Sequence, residues 1–313
     1  MTRGLVLSRA QAPVVVTDLA LPEPAEGQVL IKMEACGICH SDLFITAMEK
    51  PPLVPLVLGH EGIGRIQKLG AGVSCFAPGD RVGVTFLAST CGVCEWCRSG
   101  REQYCPRQLN SGYTVQGALA GYVAAFAQHL ARVPEGLSAT EAAPMCCAGW
   151  TAYRGVKETG AAPGATVAIF GMGGLGHLAV QFARHAGLRV AAVDVSEDKL
   201  ALARSIGAEI AVLAENAARS LQKEYGGMDA AVVLTGAGCW SGWRMGLLSF
   251  RRSTPFSKAS PFAGVSLERG RISRTSCAWQ QPAWSTRTSS SMRSMMRPRC
   301  LRDCAAASCW GEL

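Results

Sequence analysis

The sequence predicts an α/β protein, with a β-rich N-terminal part followed by a parallel sheet wound with helices. Three observations carry this. Residues 1–135 hold short runs that alternate apolar and polar side chains, punctuated by Pro and Gly. From about Ala142 the spacing turns helical, and compact apolar runs then alternate with amphipathic stretches. A glycine loop, GMGGLG, joins one such run to the next amphipathic stretch. Short strands bounded by turn residues argue for a β-rich unit, and strand–helix–strand alternation argues for a parallel sheet. A chain of 313 residues has room for about two domains.

In the first part, Gln28–Glu34 (QVLIKME) alternates as a half-buried strand does, and Gly62–Leu69 and Asp80–Thr85 look similar. The clusters PEPAEG and PPLVP supply turns. In the second part, Ala165–Phe170 (ATVAIF) reads as a buried strand. Leu175, Leu178, Ala179, Phe182, Ala183 and Ala186 then fall on one helical face. Leu188–Val193 is the next strand. Ser196–Ile206 is the next helix, with Ser196 as N-cap and Gly207 as stop. Glu209–Leu213 and Ala230–Leu234 are two further strands.

Composition excludes several classes. Apolar residues make up 49% and mean hydropathy is +0.17, so the chain is not disordered. No run of about eighteen apolar residues occurs, so no spanning helix is expected. The start, MTRGLVLSRA, lacks an apolar export segment, which points to the cytoplasm. Fourteen cysteines in such a chain point to metal or catalysis rather than a disulfide scaffold.

The net charge of +8 would suggest an anionic partner if it were spread evenly. Residues 1–238 instead balance 19 basic against 20 acidic side chains. Residues 239–313 hold 12 basic and 3 acidic ones, with five of the seven tryptophans. That segment shows no sustained period of strand or helix. Its Arg, Ser, Trp and Cys mix reads as GC-rich coding sequence in a shifted frame. The rival reading is a basic arm for nucleic acid or anionic lipid, against which stand the scattered tryptophans and cysteines. The expected organisation is therefore a β-rich domain at 1–149, a parallel α/β domain at 150–238, and a basic tail at 239–313.

Residues 91–105 read CGVCEWCRSGREQYC and place Cys91, Cys94, Cys97 and Cys105 at C-x2-C-x2-C-x7-C. Two-residue gaps let neighbouring thiolates converge on one ion. Four thiolates close the coordination sphere, so such a site is structural. Zinc is favoured, although the spacing also admits iron. The competing readings are buried thiols or a redox C-x-x-C pair. A second constellation lies in CGICHSDLF at 36–44 and GHEGIG at 59–64. A catalytic zinc needs three protein ligands and an open position. Cys39 and His60 are candidates, with Cys146 or Cys147 as the third. Core thiols and a hydrogen-bonded core histidine are the competing readings.

In GMGGLG, Gly171, Gly173 and Gly176 match G-x-G-x-x-G between a strand and a helix, the context that makes the motif meaningful. Such glycines let backbone approach a pyrophosphate at a helix N-terminus. Asp194 ends the next strand, 23 residues beyond Gly171. A carboxylate there suits ribose hydroxyls and repels a 2′-phosphate, so NAD is expected over NADP. A tight turn with Asp194 as a solvated loop residue is the competing reading.

Together, CGICHSDLF, LGHEGIG, GDRVGV, CGVCEWC…C, GYTVQGALAGYV, MCCAGWTAY and IFGMGGLGHLAVQFA resemble the zinc-dependent alcohol dehydrogenases of the medium-chain dehydrogenase/reductase family. The likeness is closest to bacterial and yeast-like members and runs to about Gly238. It implies a GroES-like catalytic domain followed by a Rossmann domain, with about four of the six strands present. It implies two zinc ions, one on Cys39, His60 and Cys147 and one on the four-cysteine lobe. Asp42 matches the carboxylate that orients the zinc histidine, and Glu61 an acid near the metal. Ser41 matches the hydroxyl that passes the alcohol proton onward. His40 matches a residue near the cofactor phosphates, and Thr151 one beside the nicotinamide. Gly174, Leu175 and Lys199 complete the expected NAD contacts.

The implied reaction interconverts an alcohol and an aldehyde or ketone, with hydride passing to NAD. Phe44 departs from the pattern, standing where many relatives have a histidine that ends the proton relay. The resemblance implies a homo-oligomer, but the family's subunit contacts lie in the part that residues 239–313 do not match, so that expectation does not carry over to this chain. The implied partner is a small alcohol or aldehyde, not a membrane or nucleic acid. A non-catalytic zinc-binding remnant and a zinc polyol or aromatic-alcohol dehydrogenase are the alternatives.

Overall fold

The computed structural model describes residues 1–235 and 248–251. These form two units that divide between Trp150 and Thr151.

The first unit is built on antiparallel strands. β1 (Thr2–Leu7) pairs with β2 (Val15–Leu19) and with the short β4 (Leu56–Val57). The larger sheet contains β3 (Gln28–Gly37), β5 (Glu61–Leu69), β6 (Arg81–Val84), β9 (Tyr122–Phe126) and β10 (Ala131–Arg132), in the order β10-β6-β5-β3-β9. The alternation seen in QVLIKME puts Val29 and Ile31 in the core with Ile66, Val82, Val84 and Val123. Register shifts at Leu30/Ile31 and Met33/Ala35 interrupt the β3–β5 ladder, and bulges of this kind bend a strand and re-aim its side chains. The ladder ends with Gly37 opposite Glu61. That pair sets the start of α1 (His40–Ala47) beside the loop carrying His60. A small lobe holds β7 (Leu87–Ser89), α2 (Glu95–Arg98) and β8 (Leu109–Asn110).

Arg81 ties this sheet to the segment leading to Cys147. Its guanidinium donates to Glu34 Oε2 at 2.9 Å, to the Pro134 carbonyl at 3.1 Å and to the Leu137 carbonyl. Beyond Leu137, α3 (Ala139–Ala142) opens with a capping box: Glu141 N–H donates to Ser138 Oγ and Ser138 N–H to Glu141 Oε2. Ala142, Ala143 and Cys146 then pack on Ile63. α4 (Ala148–Glu158) starts just past Cys147 and carries the boundary between the units.

The second unit contains β11 (Thr166–Phe170), α5 (Gly176–His185), β12 (Arg189–Asp194), α6 (Glu197–Ser205), β13 (Ile210–Leu213), α7 (Ala217–Lys223), β14 (Ala230–Val233) and β15 (Leu248–Arg251). The sheet order is β13-β12-β11-β14-β15, and the first four strands are mutually parallel. These four are the strands expected from the apolar runs. Three details differ from expectation. Ala186 lies past the end of α5 and is exposed, while His177 and Val180 join the buried face. Ser196 occupies the N-cap position of α6 without a side-chain cap bond, and its N–H donates to Asp194 Oδ1 at 3.0 Å. β15 lies within 239–313, where no element is expected. It pairs antiparallel with β14 through backbone groups that leave no mark in side-chain periodicity. The rest of 239–313, with its shifted-frame and basic-arm readings, lies outside the described residues. Among the described residues, no helix is long and apolar enough to cross a membrane.

Candidate active site

Cys39, His60, Glu61 and Cys147 bring one donor atom each to within 4.8 Å of one another. Cys39 enters from the N-cap of α1, where its N–H donates to Asp42 Oδ2 at 2.8 Å. His60 and Glu61 come from the start of β5, and Cys147 from the turn before α4. Cys39 Sγ and Cys147 Sγ lie 3.7 Å apart. Zn–S bonds of about 2.3 Å in a tetrahedron require an edge of about 3.8 Å. His60 is fully buried, and neither of its ring nitrogens has a hydrogen-bond partner among the described residues. A buried imidazole nitrogen without a partner is costly unless something binds it. The cluster therefore fits a zinc ion. Asp42 Oδ1 accepts Gly59 N–H and stands 3.5 Å from His60 Nδ1, an ion-pair distance that places a carboxylate behind the ring. Ser41 is buried, with Oγ 3.6 Å from Cys39 Sγ.

The charges follow from this crowding. The Cys147 thiol beside it holds Cys39 down to about 4, against burial and with help from His60. Cys147 is pushed well up by that same hydrogen bond and by burial, so the sulfur pair shares one proton. Burial disfavours a charged His60, yet Asp42 and Cys39 outweigh it and raise the ring to about 10. Burial, then the Cys39 thiolate, lifts Glu61 to about 7. Its carboxylate is a fourth donor beside the three expected ligands. Gly37 makes room for it: a Cβ there would lie 2.1 Å from Glu61 Oε2. Cys146 is buried against Ile63 and is not part of the cluster.

The four cysteines of the lobe form a second cluster. Their sulfurs are spaced 3.4 Å (Cys94–Cys97), 3.6 Å (Cys91–Cys105) and 3.9 Å (Cys91–Cys97), around the same tetrahedral edge. The backbone N–H groups of Val93 and Cys94 hold the Cys91 thiol down to about 5. The entry to the lobe is clamped by Gln128. Its Oε1 accepts from Thr90 N–H at 3.0 Å and its Nε2 donates to Thr90 Oγ1 at 3.1 Å.

His129 Nε2 lies 3.1 Å from the same Thr90 hydroxyl, and burial holds its ring down to about 4. An unfolded histidine titrates near 6.5, so the unfolded chain binds the proton first as the pH falls. Stability should therefore drop between about pH 6.5 and 4, by up to ~3 kcal/mol from this group. His129→Gln keeps a polar partner for Thr90 and cannot titrate. Its Tm should fall less than the wild type's across that window, and equal slopes would refute the assignment.

In the second unit the glycine loop spans the end of β11 and the start of α5. Gly171 has φ +93°, a backbone conformation that glycine tolerates. A Cβ on Gly176 would lie 1.8 Å from the Gly171 carbonyl oxygen, so the strand end and helix start touch directly. A Cβ on Gly173 or Gly174 would meet nothing within 4 Å among the described residues. The loop thus leaves an open cradle at the N-terminus of a ten-residue helix, which suits a pyrophosphate. Asp194 is buried at the end of β12. Its Oδ2 accepts Met172 N–H at 2.6 Å and its Oδ1 accepts Ser196 N–H. It is not a solvated loop residue: it braces the glycine loop, and each oxygen keeps a lone pair for a ribose hydroxyl. Leu175 and Thr151 are half-buried, while Lys199 and His40 are exposed.

Two family models match the chain: an alcohol dehydrogenase GroES-like domain over residues 25–135, and a zinc-binding dehydrogenase over 174–248. An alcohol dehydrogenase of Geobacillus stearothermophilus is 44% identical over 235 residues, which cover 74% of this chain and 70% of that one. The chain belongs to the zinc-dependent alcohol dehydrogenase family. Another member, from Moraxella sp. (strain TAE123), is 45% identical over 235 residues, covering 74% of this chain and 70% of its own. The solved structure of an NAD-dependent alcohol dehydrogenase superposes with a TM-score of 0.68 at 34% identity, covering 75% of this chain and 71% of that one. The two units are thus this family's GroES-like and Rossmann domains.

Some residues that shape these sites are not marked by motif reading. Gly37 lies within CGICHSDLF, two residues before Cys39, and its need is visible only once Glu61 is placed. Gln128 and Arg81 act across the sheet, at long sequence distance from what they hold. His177 directly follows the glycine motif, four residues after Gly173, and that helical offset is a signal in the sequence.

Proposed function

We propose that this dehydrogenase interconverts an alcohol and an aldehyde or ketone, passing hydride to and from NAD. The observation that carries this is the convergence of Cys39, His60 and Cys147 with Glu61, beside the buried hydroxyl of Ser41. Zinc held there would act as a Lewis acid on the substrate oxygen. NAD held at the glycine loop would supply the hydride chemistry. The chain's own residues do the rest. Asp42 places a carboxylate behind the His60 ring and holds the N-cap amide of Cys39. Ser41 takes the proton of the alcohol and hands it outward, toward the exposed end of α1 where His40 lies. The buried Asp194 carboxylate favours ribose hydroxyls and repels a 2′-phosphate, which supports NAD over NADP.

The second cluster stiffens the lobe and takes no part in chemistry, because four thiolates leave no open position. A cytoplasmic location belongs to the same reading. Six of the nine described cysteines stand in the two metal-type clusters, a use of thiols that suits a reducing compartment. Metal analysis of the purified full chain tests the site assignment. It should give two zinc ions, one per cluster, and a single ion would favour a zinc-binding remnant.

Phe44 is half-exposed on α1 and cannot carry a proton. Phe44→His should add a relay group, giving a several-fold rise in kcat that follows an ionisation near pH 6.5. An unchanged rate from pH 6 to 9 would show that proton release here does not depend on that position.

A further inference from the structure

His177 holds one carbonyl of the glycine loop twice. Its backbone N–H donates to Gly173 O at 3.3 Å, and its ring Nδ1 lies 2.9 Å from the same oxygen. A carbonyl can only accept, so Nδ1 must carry the proton, and the neutral ring is the Nδ1–H tautomer. Burial disfavours a charged ring and agrees with this state.

The consequence lies on the other side of the peptide. In a trans peptide the C=O and the following N–H point in opposite directions. Fixing Gly173 O toward His177 therefore aims the Gly174 N–H the opposite way, away from the His177 ring. Two glycines in succession flip easily, because neither has a Cβ to bias the backbone. We infer that His177 is a positioning residue for the dinucleotide: its ring locks the Gly173–Gly174 peptide so that the Gly174 amide faces the incoming pyrophosphate. Asp194 braces the same loop one residue earlier through Met172 N–H, so both flanks are held before cofactor arrives. A pre-set amide spares the ordering cost on binding.

This inference rests on the NAD reading, and its test separates the two. NADH titration of the full chain should show the dissociation constant rising about tenfold in His177→Leu, the upper range for one hydrogen bond. His177→Asn places an amide N–H where Nδ1 stands and should stay within about twofold of wild type. Zinc content should be unchanged in both, since neither cluster involves this unit. The inference fails if His177→Leu binds NADH within twofold of wild type, or if His177→Asn is as impaired as His177→Leu. The nitrogen-15 shifts of the His177 ring in the cofactor-free protein give a separate readout. An Nδ1–H tautomer is expected, and an Nε2–H tautomer would overturn the lock even if NADH binds. Failure of the wild type to bind NADH would instead refute the NAD reading.

Discussion

Cys147→Ser is expected to abolish alcohol oxidation and to leave one zinc ion per chain. Cys147 is buried and its sulfur lies 3.7 Å from that of Cys39. A serine hydroxyl is a poor zinc ligand, so the cluster loses one of its two thiolates and its affinity collapses. Removing even a supporting partner of a ligand typically costs about 10–100-fold, so losing a ligand should cost about 1000-fold or more in kcat/KM. The lobe is a separate cluster and should keep its ion. Cys146→Ser is the informative control. Cys146 packs with Ile63, Leu137, Ala142 and Ala143, and burial pushes its thiol up. A hydroxyl in that apolar setting should cost ~1–2 kcal/mol of stability while both zinc ions stay bound. Zinc loss in Cys146→Ser with retention in Cys147→Ser would reverse the ligand assignment.

Gly176→Ala should remove cofactor binding and leave the metal sites intact. Its Cβ would stand 1.8 Å from the Gly171 carbonyl oxygen, a backbone atom at the end of β11. The helix start must move away from the strand, and the loop amides move with it. NADH affinity should fall about 100-fold or more, alongside ~1–3 kcal/mol of destabilisation from overpacking. Gly173→Ala supplies the contrast, because its Cβ meets no atom of the described residues within 4 Å. That variant should fold as the wild type does, so any loss of NADH affinity reports a methyl placed in the cofactor's space. Fluorescence titration with NADH, read beside zinc content, separates these outcomes. Unchanged NADH affinity in Gly176→Ala would contradict the placement of the cofactor at this loop.

Much of this was legible in the sequence because the signals are local. The four parallel strands are compact apolar runs of the length a buried strand needs, and their bounds follow. The lobe's four ligands lie within residues 91–105, so spacing alone brings them together. The other cluster is different in kind. Cys39, His60 and Cys147 are far apart in the chain, and only the β3–β5 register and the Arg81-held segment bring them together. The resemblance, not spacing, separated Cys147 from Cys146. Glu61 as a fourth donor depends on the space left by Gly37. The brace from Asp194 to Met172 N–H depends on a backbone atom, which no motif records. β15 likewise forms through main-chain pairing at a sheet edge.

The most direct measurement is NADH formation by the purified full chain, supplied with NAD and a panel of primary and secondary alcohols. Absorbance of NADH should appear with at least one alcohol, vanish after chelation, and return on adding zinc. A chain that holds two zinc ions and binds NADH yet oxidises none of the alcohols would contradict an alcohol dehydrogenase built on Cys39, His60 and Cys147.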